Sequence, residues 1–338
     1  MKMKEALLYD KLEGEKVKCN LCSHRCKIAE GKRGICGVRE NKNGKLYTLF
    51  YERAIAEHID PIEKKPFFHF RPGSMSFSMG TAGCNFRCLH CQNWDISQSP
   101  REGRGIVGKS LPCEEIVRLA KKYGCKSISN TYTEPTIFFE YAYDTAKLAK
   151  KEGIDNNFVT NGYMTQEALE MISPYLNAAN VDLKAFTDKF YREVCGARLE
   201  TVLETLKAMK KLGIWVEVTT LIIPTLNDSN DELGEIANFI YKELGKETPW
   251  HVSMFYPHYK MTHLHPTPIE TLSIARKIGL DTGLRYVYSG NIPSDIGENT
   301  YCYNCGELLI RRYGFSILEN KIKDSRCFNC NAKIDGIL

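Results

Sequence analysis

The stretch that most constrains this chain is Gly83-Cys84-Asn85-Phe86-Arg87-Cys88-Leu89-His90-Cys91-Gln92-Asn93. It places three cysteines as C-x3-C-x2-C in one short loop. Soft thiolates this closely spaced select an iron–sulfur cluster or zinc rather than a hard cation. The number of ligands matters more than their spacing. A four-iron cluster that only carries electrons takes four cysteines, and this loop offers three. One iron would stay open to a ligand that is not protein. The other reading of the loop is a structural zinc site whose fourth ligand comes from elsewhere in the chain.

The chain has 14 cysteines in 338 residues, and most fall in three groups: Cys19, Cys22, Cys26 and Cys36; Cys84, Cys88 and Cys91; Cys302, Cys305, Cys327 and Cys330. The opening residues Met1-Lys2-Met3-Lys4-Glu5 lead into no apolar signal segment. There is also no apolar run long enough to span a membrane. Without a secretion signal, the groups read as metal ligation in a reducing cytoplasm rather than as disulfides. A low-potential cluster suits an anaerobic host. The net charge of +5 is mild and the charges are interspersed, so no basic block points to nucleic acid. At 43% apolar and 26% charged, the chain has room for one large α/β domain with appendages, or for two ordinary domains. Cys113 and Cys125 read as small buried hydrophobes. Cys195, in Val194-Cys195-Gly196, reads as a loop residue.

Three regions emerge: 1–60, 61–296 and 297–338. In the first, residues 1–18 suggest a short helix and a lead-in. Cys19, Cys22, Cys26 and Cys36 form a compact knuckle able to close a tetrahedral site, with His24 as a substitute ligand. Its metal is zinc or a second iron–sulfur cluster, in a structural role. Alternation over 45–58 predicts a strand or hairpin, and 61–72 is a connector rich in Pro and Phe. The second region alternates strand and helix. Strands are expected at 74–79, 126–130, 155–160, 179–183, 214–223, 250–255 and 284–288. Helices are expected from Ser110 as cap to Gly124, 135–153, 165–172, 199–212, 229–244 and 268–278. That order predicts a parallel sheet or a partial barrel. In barrels the active residues sit at the C-terminal ends of the strands. Those ends carry the cysteine loop, Thr131–Pro135, Thr160-Asn161-Gly162, Asp182-Leu183-Lys184, Ile223-Pro224 and Tyr256–Lys260. In the third region two C-x2-C knuckles, 21 residues apart, flank a hairpin. They read as a zinc ribbon or rubredoxin-like site, with structural zinc preferred.

Taken together, the motifs resemble the radical S-adenosylmethionine (radical SAM) enzymes related to pyruvate formate-lyase activating enzyme. The AmmeMemoRadiSam system branch is the most similar. The resemblance rests on Pro61–Phe70, the cysteine loop, Thr131–Pro135, Val181–Lys184 and the cysteine-rich head. It implies an α/β fold with a partial (β/α)6 radical SAM barrel, and a [4Fe–4S] cluster on Cys84, Cys88 and Cys91. SAM would bind the open iron and be cleaved reductively to methionine and a 5′-deoxyadenosyl radical, which abstracts hydrogen from a substrate. By the same resemblance His90 contacts the adenine and Glu134 binds the SAM amino group. Thr160 and Asp182 flank a monovalent cation beside SAM, with Asn161 on the same rim. Lys184 holds the SAM carboxylate or the substrate, and His258 faces the substrate. Here Tyr132-Thr133 stands where the family has two glycines, and Val159 where it has an acid.

The implied substrate is a glycine of a partner protein, as in glycyl-radical enzyme activation, or else a small molecule or another protein residue. The implied reductant is a flavodoxin or ferredoxin. Two rival classes remain. One is a non-catalytic zinc or Fe–S scaffold that binds a partner or nucleic acid. The other is an electron-transfer protein, in which Cys113 would be the nearby fourth ligand.

Overall fold

The computed structural model describes residues 3–103, 107–292 and 296–338. Eight strands make the central sheet, and their spatial order follows the chain: β1 (Ala56–Pro61), β2 (Met75–Gly80), β3 (Ser127–Asn130), β4 (Asp155–Thr160), β5 (Ala178–Asp182), β6 (Trp215–Ile222), β7 (Trp250–Met254) and β8 (Val287–Gly290). Strands β2 to β8 are parallel, and β1 lies antiparallel against β2. Six crossover helices join the parallel strands: α1 (Cys113–Lys122), α2 (Phe139–Lys151), α3 (Gln166–Ile172), α4 (Leu199–Lys211), α5 (Asn230–Phe239) and α6 (Ile269–Thr282). Six strand–helix units and a closing parallel strand make the expected partial barrel. It is open between β1 and β8, the two edges of the sheet.

The two faces of the sheet differ in chemistry. Phe77, Met79, Ile128, Phe158, Val181, Val216, Val218 and Val252 join the main apolar core with the helices. On the other face, register sets Ser78 beside Ser129 and Asn157, Asn180 beside Glu217, and Thr219 beside His251. These side chains are buried, and part of the face is cross-linked, as in Ser76–Ser129 at 2.6 Å and Thr219–Asn180 at 2.8 Å, while both side-chain polar atoms of Asn157 lack a partner. Strands of a fully covered parallel sheet usually read as continuous apolar runs. A period of two with one polar face therefore marks a lumen that takes polar groups.

The lower end of that lumen is plugged by the segment after β1. Glu217 accepts the backbone N–H groups of Phe68 (3.0 Å) and His69 (2.9 Å), the Trp215 indole (3.1 Å) and His251 (2.7 Å). Beneath the plug, a small sheet of β9 (Thr300–Tyr301), β10 (Leu308–Tyr313) and β11 (Ser316–Asn320) docks on Phe68, Tyr286 and Tyr288. Arg312 locks the three parts together. Its guanidinium donates to Phe68 O (3.0 Å), Glu298 O (3.1 Å) and Thr300 Oγ1 (2.7 Å).

Some local expectations are corrected. Where a short helix and lead-in are expected over 1–18, residues 3–18 hold short strands, residues 1 and 2 lying outside the described residues: Tyr9–Lys11 folds back on Val17–Cys19 through a turn with Gly14 and Glu15 at positive φ. The hairpin expected over 45–58 runs from Arg39 to Thr48 around Asn43-Gly44, and Ala56–Pro61 joins the main sheet. Ser110 does not cap α1. It pairs with Arg53, and Pro112 precedes the helix. Helix α6 runs on to Thr282, where Gly283 at φ 106° ends it. Ser229 and Thr165 do cap their helices through side-chain oxygens.

Candidate active site

The cysteine loop leaves the C-terminal end of β2 and is held from three sides. Gly83 has φ +103°, and a Cβ there would lie 2.5 Å from Val38 Cγ1. Arg87 and Leu89 donate backbone bonds to Cys195 O (2.8 Å) and Val194 O (3.0 Å). Lys260 N donates to Leu89 O at 3.0 Å, which draws in the loop after β7, where Tyr259 stacks on Trp94. The Arg101 guanidinium ties Cys84 O, Phe86 O and Ile35 O together.

The donor set suits a polynuclear cluster. Among the described residues, only the C-terminal quartet gathers three or more ligand atoms within 4.8 Å of one another. Cys84, Cys88 and Cys91 are spread wider. A single tetrahedral zinc with bonds near 2.3 Å needs sulfurs about 3.8 Å apart, whereas a four-iron cubane spaces its cysteine sulfurs by about 6.5 Å. Burial pushes the Cys84 thiol well up and Cys91 up to about 11, while hydrogen bonding to Cys195, with burial, pushes Cys88 up. Such thiols become good ligands only when a cation displaces their protons.

Glu134 ends the β3 loop and is buried. Its Oε1 accepts from Thr136 N (2.9 Å), Thr136 Oγ1 (2.6 Å) and Thr160 Oγ1 (2.7 Å), and its Oε2 from Asn161 N (2.8 Å). Burial pushes this carboxyl above the usual range despite those donors. Asn161 extends the network by donating to Asn85 Oδ1 at 2.8 Å, with Cys84 Sγ 3.8 Å away. Glu134, Thr160 and Asn161 thus form one unit that touches the first cysteine.

Across the mouth, Lys184 Nζ donates to Asp182 Oδ2 at 2.9 Å, and the Lys184 side chain is only 14% exposed. Burial works against the ammonium, but Asp182, with Cys88 and Cys195 beside it, more than offsets that and holds Lys184 well above its ordinary value. His90 is buried with Nδ1 lacking any partner, and burial holds its imidazole down at about 3. His258 lies exposed on the loop after β7.

Three residues of the site have no separate signal in the sequence. Asn85 sits inside the cysteine motif, where spacing alone does not distinguish it. Arg101 binds three backbone carbonyls and, among side chains, Gln98 Oε1, so no charged partner in the sequence announces it. Cys195, expected as a loop residue, is fully buried in the turn Tyr191–Cys195 and hydrogen-bonded to Cys88. Cys113, the nearby candidate by sequence, is instead packed under Tyr51 (3.8 Å) and Tyr141 O (4.0 Å).

The C-terminal quartet forms a closed tetrahedral set, with Cys302–Cys330 at 3.6 Å and Cys305–Cys327 at 3.8 Å. Its edges match one ion bonded at about 2.3 Å. Burial pushes Cys302 up to about 12, while the Ala332 N–H and Asn304 pull Cys330 down to about 6. Among the described residues no helix is long and apolar enough to cross a membrane.

Residues 79–240 match the family model described as the Radical SAM superfamily. An uncharacterized protein of Methanocaldococcus jannaschii is 51% identical over 338 residues, covering 99% of this chain and 100% of its own. The pyruvate formate-lyase-activating enzyme of Clostridium pasteurianum is 28% identical over 164 residues, 47% of this chain and 66% of that one. This chain therefore spans just under two thirds of that curated relative. In fold, the chain is similar to Streptococcus suis SuiB bound to precursor peptide SuiA, with a TM-score of 0.52 at 14% identity over 69% of this chain and 52% of that one.

Proposed function

The chain belongs to the radical SAM superfamily, and on that premise we propose that it activates a partner protein by taking a hydrogen atom from one of its glycines. The observation that carries the chemistry is the three-cysteine loop, spread for a cluster and set at the C-terminal mouth of a barrel with a polar lumen. The glycine substrate draws its support from the pyruvate formate-lyase-activating relative. When bound, a [4Fe–4S] cluster and SAM supply the reductive cleavage that yields methionine and a 5′-deoxyadenosyl radical.

This chain's residues do the holding. Cys84, Cys88 and Cys91 bind the cluster. Glu134 Oε2 accepts one hydrogen bond, from Asn161 N, against three on Oε1, so Oε2 is the oxygen with room for a further donor and the place for the SAM ammonium. Thr160 and Asn161 fix that carboxylate. Lys184, steadied by Asp182, presents a cation to the SAM carboxylate. His90 offers its unpartnered Nδ1 to the adenine. His258 stands where an incoming peptide would meet the loop after β7. A flavodoxin or ferredoxin in the cytoplasm supplies the electron, and the C-terminal quartet holds zinc.

The test is anaerobic. The chain is reconstituted with iron and sulfide, reduced with dithionite, and followed by EPR with and without SAM, with 5′-deoxyadenosine assayed in the same tube. A signal that shifts with SAM and 5′-deoxyadenosine formation support the proposal. A cluster indifferent to SAM sinks it. Cys195→Ala separates the electron-carrier reading, because a fourth cysteine ligand beside Cys88 would make the cluster depend on it. Our reading predicts that the cluster and its SAM response survive that change.

A further inference from the structure

The structure assigns Cys19, Cys22, Cys26 and Cys36 to a second iron–sulfur cluster, which passes electrons to the central one. The cluster stands independently of the function proposed above, whereas the relay rests on it. All four cysteines line one cavity together with Arg39 and Ile137. Three of the four are buried, and Leu21, Ile28 and Ile137 make the rest of the wall apolar. The sulfurs are not drawn together as a single ion would draw them: no three of them lie within 4.8 Å of one another, unlike the C-terminal quartet in the same chain. That spread suits a cubane with sulfurs about 6.5 Å apart and not a zinc knuckle.

Arg39 is the second observation. It is 1% exposed, and one nitrogen pairs with the fully buried Glu140, while Nε and Nη1 have no partner at all. Orphaned buried donors are costly, and Arg39, which carries them, lines the cavity that the cysteines line. The sulfides and thiolates of an anionic cluster would accept from them. Four thiolates on zinc would leave a compact dianion with less sulfur surface to reach.

The cavity abuts the central loop. Cys36 O lies 3.3 Å from where a Gly83 Cβ would be, and Ile137 reaches both places. His24 Nε2 lies 2.9 Å from Asn85 O, and Arg101 bridges Ile35 O to Phe86 O. On the outer side, Arg33, Arg87, Arg101 and Lys260 line a groove with Glu102 as the acid among them. That groove suits an acidic one-electron donor of the flavodoxin or ferredoxin class. One electron from such a donor reduces the outer cluster from its 2+ to its 1+ state and then moves to the central cluster. No proton or bond change accompanies it.

Metal content tests the cluster in the whole chain. The triple variant Cys84→Ser/Cys88→Ser/Cys91→Ser, reconstituted anaerobically, should retain about four iron and about four acid-labile sulfide. It should also show a dithionite-induced EPR signal indifferent to SAM, with about one zinc per chain in the C-terminal quartet. About two zinc per chain and no sulfide overturn the assignment. Should the triple variant not fold, the unaltered chain decides through about eight iron against about four. The relay is tested with Cys22→Ser/Cys26→Ser, in which the central cluster still responds to SAM after dithionite. Reduction by flavodoxin should then slow at least about tenfold, a barrier change of about 1.4 kcal/mol, and an unchanged rate overturns the relay. A central cluster that ignores SAM in this variant and in the unaltered chain would point instead to failure of the proposed function.

Discussion

Replacing Glu134 by Gln changes one atom and tests the centre of the site. Oε1 faces three donors, including the Thr136 N–H, so the glutamine carbonyl must stay there. The amide NH2 then takes the Oε2 position and meets the Asn161 N–H donor to donor. Leaving that buried donor unpaired, and losing its bond to a charged acceptor, costs about 2 kcal/mol. For a chain of this size each kcal/mol is worth about 2 °C, so Tm should fall by about 4 °C. The same change removes the charge proposed to hold the SAM ammonium. A charge-assisted bond is worth about 1.5–3 kcal/mol, which weakens Kd for SAM about 10- to 150-fold. Thermal melts and an anaerobic SAM titration followed by EPR measure both effects, with iron content as a control. If Kd stayed within about twofold and Tm within about 1 °C, Glu134 would be neither the ammonium site nor the anchor of Asn161.

Other consequences follow from the same structure. Gly83→Ala should cut iron at the central site by more than half, because its Cβ would meet Val38 at φ +103°. Adding Val38→Ala should restore part of the loss, and iron analysis reads both. Burial holds the His69 imidazole down at about 4, against an ordinary 6.5. Its Nδ1–H donates to Asp335 O while Nε2 accepts from Tyr288. The unfolded chain therefore binds the proton first, and stability present above pH 6.5 is lost as pH falls toward 4. The loss is about 3 kcal/mol, and urea melts of His69→Phe should show a correspondingly flatter acid limb. Cys327→Ser should release the C-terminal metal and lower Tm by several degrees while central iron is unchanged. Zinc analysis beside calorimetry checks it, and a loss of central iron in step with the lost zinc would refute the separation of the two centres.

The barrel was readable from the sequence because its signals are local. Phe77, Met79, Ile128, Phe158 and Val181 recur with strand spacing, and Thr165 and Ser229 stand where helices begin. The cysteine loop was readable for the same reason: its ligands lie within eight residues of one another. Ser110 misled because a good capping residue was needed elsewhere, in a bridge to Arg53. Residues 1–18 misled because short strands around a Gly14 turn carry too few apolar positions to show a period.

Spacing along the chain determined how many metal centres the protein can have, which loop carries three ligands rather than four, and that strands and helices alternate. Tertiary structure alone decided what surrounds them. It set Cys195 beside Cys88 and buried Cys113 elsewhere. It brought Glu140 to Arg39 from 101 residues away, Arg312 to the plug from 244 residues away, and Glu217 to the N–H groups of Phe68 and His69. The physical reason is one of range. A turn, a cap or a ligand pair is settled by neighbours in sequence. The partner of a buried charge is settled by which groups the packed core leaves within hydrogen-bond reach.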